Sequence, residues 1–244
     1  MKKFIYALLI AALPGLTIAA GGVQLDKAPI DLHDKASLQR GAQLFANYCL
    51  SCHSAQYMRF NRMARDLEMS DEQVRENLMF TTDKVGETMN VAMSADQAET
   101  WFGTAPPDLS VLARARGADY LYTYFRTFYV DDSRPFGVNN AVFPDVGMPH
   151  VLWELEGLKK PILEKVVHGG EETEVITGYQ QVTEGSMTEA EYDRAAADLT
   201  NFMVYMAEPI RTERERLGWW VLGFLGVFFV FAYLLKKEYW RDVH

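Results

Sequence analysis

The stretch Cys49-Leu50-Ser51-Cys52-His53 decides how the rest of this chain is read. A Cys-x-x-Cys-His run is the covalent attachment pattern of a c-type haem. The two thiols add across the haem vinyl groups, and the imidazole that follows becomes one axial ligand of the iron. One helical turn brings both sulfurs to one edge of the macrocycle and swings His53 over the metal. Two other chemistries use paired cysteines. A structural zinc site wants four Cys or His ligands, and with 2 cysteines in the chain there is no second pair to complete it. A thioredoxin-like redox pair belongs with a βαβ pattern, which is not visible here, and gives His53 no role. With both cysteines used by the motif, no disulfide framework is available, so stability has to come from a packed core and the covalent cofactor.

The composition fits that reading. The 244 residues, 49% hydrophobic and 23% charged, suit one globular domain of ordinary size plus extra segments. The net charge of −9 argues against a nucleic-acid partner. Met1 to Ala20 reads as a secretory signal: Lys2 and Lys3 are the basic start, Phe4 to Leu13 the apolar run, and Thr17, Ala19 and Ala20 the small residues of a cleavage site near position 20. The apolar part is too short to span a bilayer. An uncleaved N-terminal anchor is the competing interpretation.

Residues 34–49 read as a helix with Leu38, Ala42, Phe45 and Tyr48 on one face, and Gly41 on that face leaves room for another helix. Three capping boxes with hydrophobic staples open later helices at Ser70/Gln73, Ser94/Gln97 and Thr188/Glu191. Residues 81–93 read as an irregular loop. Ala105 to Ser110 turns the chain into a short helix carrying Arg114 and Arg116 and ended by Gly117, followed by an aromatic-rich helix over about 118–130. Residues 131–150 are rich in Pro, Gly and Asn and read as a long loop, while Val142, Phe143, Val146 and Met148 imply that it packs on something. A short strand region is expected around Val175 to Gln181. Pro209 should break the helix that begins at Thr188.

A charged turn, 211–216, then leads into Leu217–Leu235, nineteen residues without a charge. As a helix this run covers about 28 Å, one hydrocarbon core. Trp219 and Trp220 at one end, and Tyr233, Lys236, Lys237 and Trp240 at the other, fit a single transmembrane helix followed by a tail, 236–244. The signal at 1–20 sets the orientation: domain 21–210 exported, tail in the cytoplasm.

His53 accounts for one side of the iron. The other side is open to the methionines, the remaining histidines, a water, or no ligand. A thioether favours reduced iron and suits electron transfer. Met148 is preferred because it lies on a Gly-Met-Pro turn in the loop that must pack on something. His150, two residues away, fits the spacing as well. Met187, Met203 and Met206 are read as staple or helix core.

The residues so far resemble the cytochrome c1 family, the membrane-anchored c-haem subunits of cytochrome bc1 complexes (ubiquinol–cytochrome c reductase). The likeness runs through Gly41 to Ser54, Ala105-Pro-Pro-Asp-Leu-Ser110, Ala113-Arg-Ala-Arg-Gly117 with Asp119-Tyr120, Phe143-Pro144, Gly147-Met148-Pro149, Asn201-Phe202, Ala207-Glu-Pro209 and the C-terminal span. It implies a mostly α fold: a class I cytochrome c-like haem domain with an extended distal loop, plus one C-terminal transmembrane helix. It implies one covalently attached haem c, with Cys49 and Cys52 as attachment sites and His53 and Met148 as iron ligands. Arg116 and Tyr120 would meet the propionates, and Pro107 and Phe143 would line the pocket. A guanidinium fixed on a carboxylate also has its own physical rationale, since it stabilises a partly buried propionate.

The implied role is non-catalytic. The chain relays single electrons from the Rieske iron–sulfur subunit to a c-type cytochrome, beside cytochrome b, in a dimeric complex of a bacterial cytoplasmic membrane with the haem domain in the periplasm. The alternatives are a membrane-tethered cytochrome serving another oxidase or dehydrogenase, and a haem enzyme or sensor with an open distal site. Acidic clusters at Asp71, Glu72 and Glu76, or at Glu171, Glu172 and Glu174, are candidates for steering a basic acceptor, or plain solvated surface. The loop from Phe143 to Met148 is shorter than in mitochondrial relatives, and the disulfide of some bacterial members is impossible here. The aromatic helix is expected to hold the loop by packing instead.

Overall fold

A computed structural model describes residues 23–168 and 171–243; the signal expected over 1–20 lies outside them. Helix α1 (Lys35–Leu44) starts where the Asp34 carboxylate accepts the Ser37 N–H at 3.0 Å. Its stripe of Leu38, Ala42 and Phe45 is fully buried. At Phe45–Cys49 the helix widens into a π-turn, and the Leu50 N–H bonds to the Phe45 carbonyl at 3.0 Å. The expected helix over 34–49 therefore exists, but its last turn is loosened where the attachment residues begin.

Strand β1 (Ala55–Arg59) and helix α2 (Phe60–Asp66) follow, then α3 (Asp71–Asn77), β2 (Thr88–Met89) and α4 (Ala95–Phe102). The Ser70/Gln73 and Ser94/Gln97 boxes are both closed by reciprocal bonds. The loop expected over 81–93 contains β2, which pairs antiparallel with β1. Helix α5 (Leu112–Arg116) ends at Gly117, and α6 (Ala118–Phe125) follows at once. The aromatic helix stops five residues before the expected end, because Phe128–Val130 is strand β3, paired with β4 (Val138–Asn140). Aromatic and β-branched residues suit either state, and here cross-strand pairing wins.

Helix α7 (Trp153–Glu156) leads into a long hairpin, β5 (Gly157–His168) and β6 (Glu171–Glu184). Only the Val175 to Gln181 part of it was expected. Helix α8 (Glu189–Ala207) begins at Thr188, whose N–H and hydroxyl both donate to the Glu191 carboxylate at 2.9 and 2.7 Å. It stops before Pro209, as expected.

Helices α1 and α8 form the centre of the core. A Cβ placed on Gly41 would stand 2.1 Å from the Asp198 carbonyl oxygen and 2.7 Å from the Phe202 Cβ, so only glycine permits this crossing. Phe45 and Phe202 then meet with ring centroids 5.6 Å apart. Arg40 clamps the Asp198 carboxylate with two bonds, of 2.6 and 3.0 Å. Asn201 reaches the Asp31 carbonyl and the Ser37 hydroxyl at 2.7 and 3.0 Å.

Helix α9 (Arg211–Tyr239) is continuous for 29 residues and has none of them buried. At ~1.5 Å per residue this is about 43 Å. The charged turn expected over 211–216 is a correction: these residues are helical, because Arg211 bonds Glu215 one turn on at 2.9 Å. The helix also continues past Leu235 into the expected tail, and a short 3₁₀ turn, Arg241–Val243, follows it.

Candidate haem-binding site

The π-turn at the end of α1 presents Cys49, Cys52 and His53 to a cavity of about 340 Å³, in the size range of cofactor pockets. Backbone bonds from Cys52 N–H and His53 N–H to the Cys49 carbonyl, 3.0 and 2.8 Å, close the turn. His53 Nδ1 lies 2.7 Å from the Pro107 carbonyl oxygen. A carbonyl can only accept, so Nδ1 carries the proton and Nε2 keeps its lone pair for a metal. Burial holds the His53 pKa below its ordinary value, against smaller opposing effects of the Pro107 carbonyl and Asp108, which favours the neutral imidazole a ligand must be. Burial also pushes the Cys49 thiol up to about 12, with Cys52 adding to the shift, which favours the protonated thiol over the thiolate before any thioether forms.

Pro107 is itself fixed. The Asp108 carboxylate accepts from Gln56 N–H and Ser110 N–H at 2.9 and 2.8 Å, and Leu109 N–H donates to the Ser54 carbonyl at 2.8 Å. Two segments some fifty residues apart in sequence are thus locked together around His53.

The opposite wall comes from the loop after β4, where Phe143, Val146 and Met148 line the cavity. Asparagines hold this loop. Asn140 Oδ1 accepts from Val142 N–H and Phe143 N–H at 2.9 and 3.1 Å, and its Nδ2 donates to the Tyr124 carbonyl at 2.8 Å. Asn139 Oδ1 accepts from Asp145 N–H at 2.9 Å. Arg134 binds the Asp145 carboxylate and carbonyl at 2.9 and 2.8 Å. Of the packing expected from the aromatic helix, Tyr124 supplies one contact: with Met148 it joins a small buried cluster of Phe128, Val138 and Val146, of which Phe128 and Val138 lie on β3 and β4. A polar net plus this cluster stands where a disulfide was missed.

Tyr124 donates its hydroxyl to Met148 Sδ at 3.4 Å. Burial pushes the Tyr124 pKa far up, so this hydroxyl stays a donor. His150 does not line the cavity. Its ring stacks on Phe128 at 4.8 Å, and its Nε2 lies 2.9 Å from the Glu156 carboxylate, off the hydrogen-bond axis. Lys159 pairs with the same carboxylate and donates to the Arg126 carbonyl at 2.7 Å.

Arg116, at the end of α5, lines the cavity with its guanidinium 5.4 Å from the Tyr120 ring centroid. Among the described residues no carboxylate pairs with it. An exposed cation without an anionic partner, at the rim of an apolar cavity, suits an anionic group on whatever fills it. All eight residues expected at the site, Cys49, Cys52, His53, Pro107, Arg116, Tyr120, Phe143 and Met148, line this one cavity. The acidic residues Asp71, Glu72 and Glu76, and Glu172 and Glu174, do not. Sequence reading missed Tyr48, Leu121, Tyr124, Val146 and Met203 as lining residues. Tyr124 had a signal, since it stands one helical turn after Tyr120 on the same face.

The cavity fits a haem: apolar walls, paired thiols at one end, a free imidazole nitrogen, a thioether and an unpaired guanidinium. A zinc site has no support, because no cluster of three or more metal-binding side chains occurs among the described residues.

The model of the Cytochrome C1 family matches residues 26–243. Cytochrome c1 of Allochromatium vinosum is 50% identical over 246 residues, covering 100% of both chains. A protein of Nitrosomonas europaea named ammonia monooxygenase gamma subunit is 50% identical over 245 residues, covering 100% of this chain and 99% of its own. The mitochondrial cytochrome c1 heme protein of Saccharomyces cerevisiae is 26% identical over 241 residues, covering 88% of this chain and 70% of its own. Thioether-forming residues, cavity, membrane-length helix and these matches agree: the chain belongs to the cytochrome c1 family.

Proposed function

We propose that this chain relays single electrons in a cytochrome bc1 complex, through one haem c bound to Cys49 and Cys52. The observation that carries the reading is the shared cavity, which gathers the Cys-x-x-Cys-His turn and Met148 from segments about a hundred residues apart. Bound haem supplies a one-electron iron couple. The protein residues do the rest. His53 Nε2 and Met148 Sδ would hold the iron from two walls of the cavity, and with both in place no position would be open to gas or peroxide. The Pro107 carbonyl fixes the imidazole tautomer. Arg116 and Tyr120 would meet the propionates, and Pro107, Phe143 and the apolar walls would shield the group from water.

The electron donor is the Rieske iron–sulfur subunit and the acceptor a c-type cytochrome, with cytochrome b as the other companion and the complex dimeric. Helix α9 anchors the chain in a bacterial cytoplasmic membrane through 217–235. A leader cleaved near residue 20 places the haem domain, 21–210, in the periplasm and the C-terminus in the cytoplasm. No bond-making residue is required of this subunit.

The Nitrosomonas europaea relative bears the name of a different complex, and one experiment separates the two assignments. Purification from membranes through this chain should bring cytochrome b and a Rieske protein, with a low-spin ferrous haem that ignores carbon monoxide. Recovery with a monooxygenase, or a haem that binds carbon monoxide, overturns the proposal.

A further inference from the structure

Away from the haem cavity, a cleft of about 1100 Å³ opens where α9 leaves the haem domain. One wall carries Lys35, Arg62 and Arg65, and against these three cations it sets one carboxylate, Asp66. That carboxylate is already shared. It bonds Arg62, lies 3.5 Å from Arg65 Nε, and accepts from the Tyr205 hydroxyl at 3.0 Å. Lys35 spends its ammonium on the Asp66 main-chain carbonyl at 2.7 Å, so its charge is not neutralised. The facing wall is α9, where Arg214 pairs with Glu208 at 2.5 Å and Arg216 with Glu213 at 3.5 Å. A local excess of positive charge thus sits in a chain whose net charge is −9.

The height of the cleft matters as much as its charge. Its lower lining is Leu217 and Trp220, the first turn of the apolar run. Tryptophans at such a position lie at the level of lipid headgroups. Arg216 stands one residue above Leu217 and Ile210 seven above, about 10 Å along the helix, which spans the roughly 5–7 Å headgroup layer of one leaflet. The cleft is therefore cationic at headgroup depth, and its apolar floor runs straight into the bare face of α9.

We propose that this cleft holds the phosphate headgroup of an anionic phospholipid from the leaflet on the haem-domain side, with the acyl chains against Leu217 and Trp220. The proposal rests on α9 being a membrane span. Neutral phospholipid lacks the net charge to match this wall, and free phosphate lacks the chains to match the floor.

The test uses the intact complex, reconstituted in phosphatidylcholine with phosphatidylglycerol, washed in detergent, and assayed for retained lipid by mass spectrometry. Arg65→Gln and Arg216→Gln change side chains that are 71% and 76% exposed and do not anchor the core. Each should weaken phosphatidylglycerol retention about fivefold, and the double variant about twenty-five-fold. The haem spectrum and the co-purifying chains, measured on the same samples, should not change, which separates a failure here from a failure of the electron-relay assignment. Equal retention by the double variant overturns the proposal. So does a parent complex that holds phosphatidylglycerol no better than phosphatidylcholine, or loss of a partner chain with lipid unchanged, which would mean that protein fills the cleft.

Discussion

Replacing Tyr124 with Phe isolates the one hydrogen bond that the described residues make to the proposed ligand sulfur. The ring is held by its neighbours, edge-on to Phe128 at 5.1 Å and Phe125 at 5.8 Å and stacked with Tyr120 at 6.1 Å. Phenylalanine keeps all three contacts and removes only the donor to Met148 Sδ at 3.4 Å. A sulfur is a weak acceptor, so the bond contributes about 0.5–1.5 kcal/mol and stability should hardly change. Its effect on the haem is larger in proportion. A donor on the thioether draws electron density from the sulfur, which disfavours ferric iron more than ferrous and raises the potential. If most of that energy separates the two oxidation states, removing it lowers the potential by about 20–60 mV, given about 59 mV per tenfold change for one electron. Redox titration of the purified complex, followed in the haem α-band, reads this directly. A potential unchanged to within about 10 mV, or one that rises, refutes the reasoning.

Other outcomes follow from contacts already described. Met148→Leu should leave the haem attached but open its distal side, seen as carbon monoxide binding and loss of quinol-driven reduction of the acceptor. Gly41→Ala forces a Cβ to within 2.1 Å of the Asp198 carbonyl, so α1 and α8 must separate; the cost is about 3 kcal/mol, read as a lower thermal midpoint for loss of the haem spectrum. Asn140→Ala strips the Val142 and Phe143 N–H groups of their acceptor. At about 1–3 kcal/mol per group left unsatisfied, it should accelerate hydrogen exchange over 142–148 while exchange in α8 stays slow.

Much of the helical architecture was legible because its signals are local. The capping boxes at Ser70, Ser94 and Thr188 place helix starts within a single turn of chain, and Pro209 marks an end in the same way. The strands were not, because their partners lie elsewhere. Thr88–Met89 is a strand only through Ala55–Arg59, some thirty residues earlier. The long hairpin hides its β5 arm behind Lys159, Lys160, Pro161 and Glu164, charged and ring residues that interrupt any alternating pattern. Arg211 to Arg216 looked like a turn because charge was weighed without the one-turn spacing of Arg211 and Glu215. The site itself was largely readable from Cys49, Cys52 and His53 outward, but Tyr124 and the Asn139–Asn140 net were not, since their partners depend on how the loop folds back.

The join between the haem domain and its anchor has a mechanical consequence. Helix α8 ends at Ala207 and α9 begins at Arg211, so only Glu208, Pro209 and Ile210 lie between them. Proline fixes one backbone angle of that join, and Glu208 grips Arg214 across it. Any turn of the haem domain about its anchor therefore has to pass through the backbone angles of these three residues. Such a turn would also have to part Glu208 from Arg214, so the join narrows the ways in which the domain can move on its anchor.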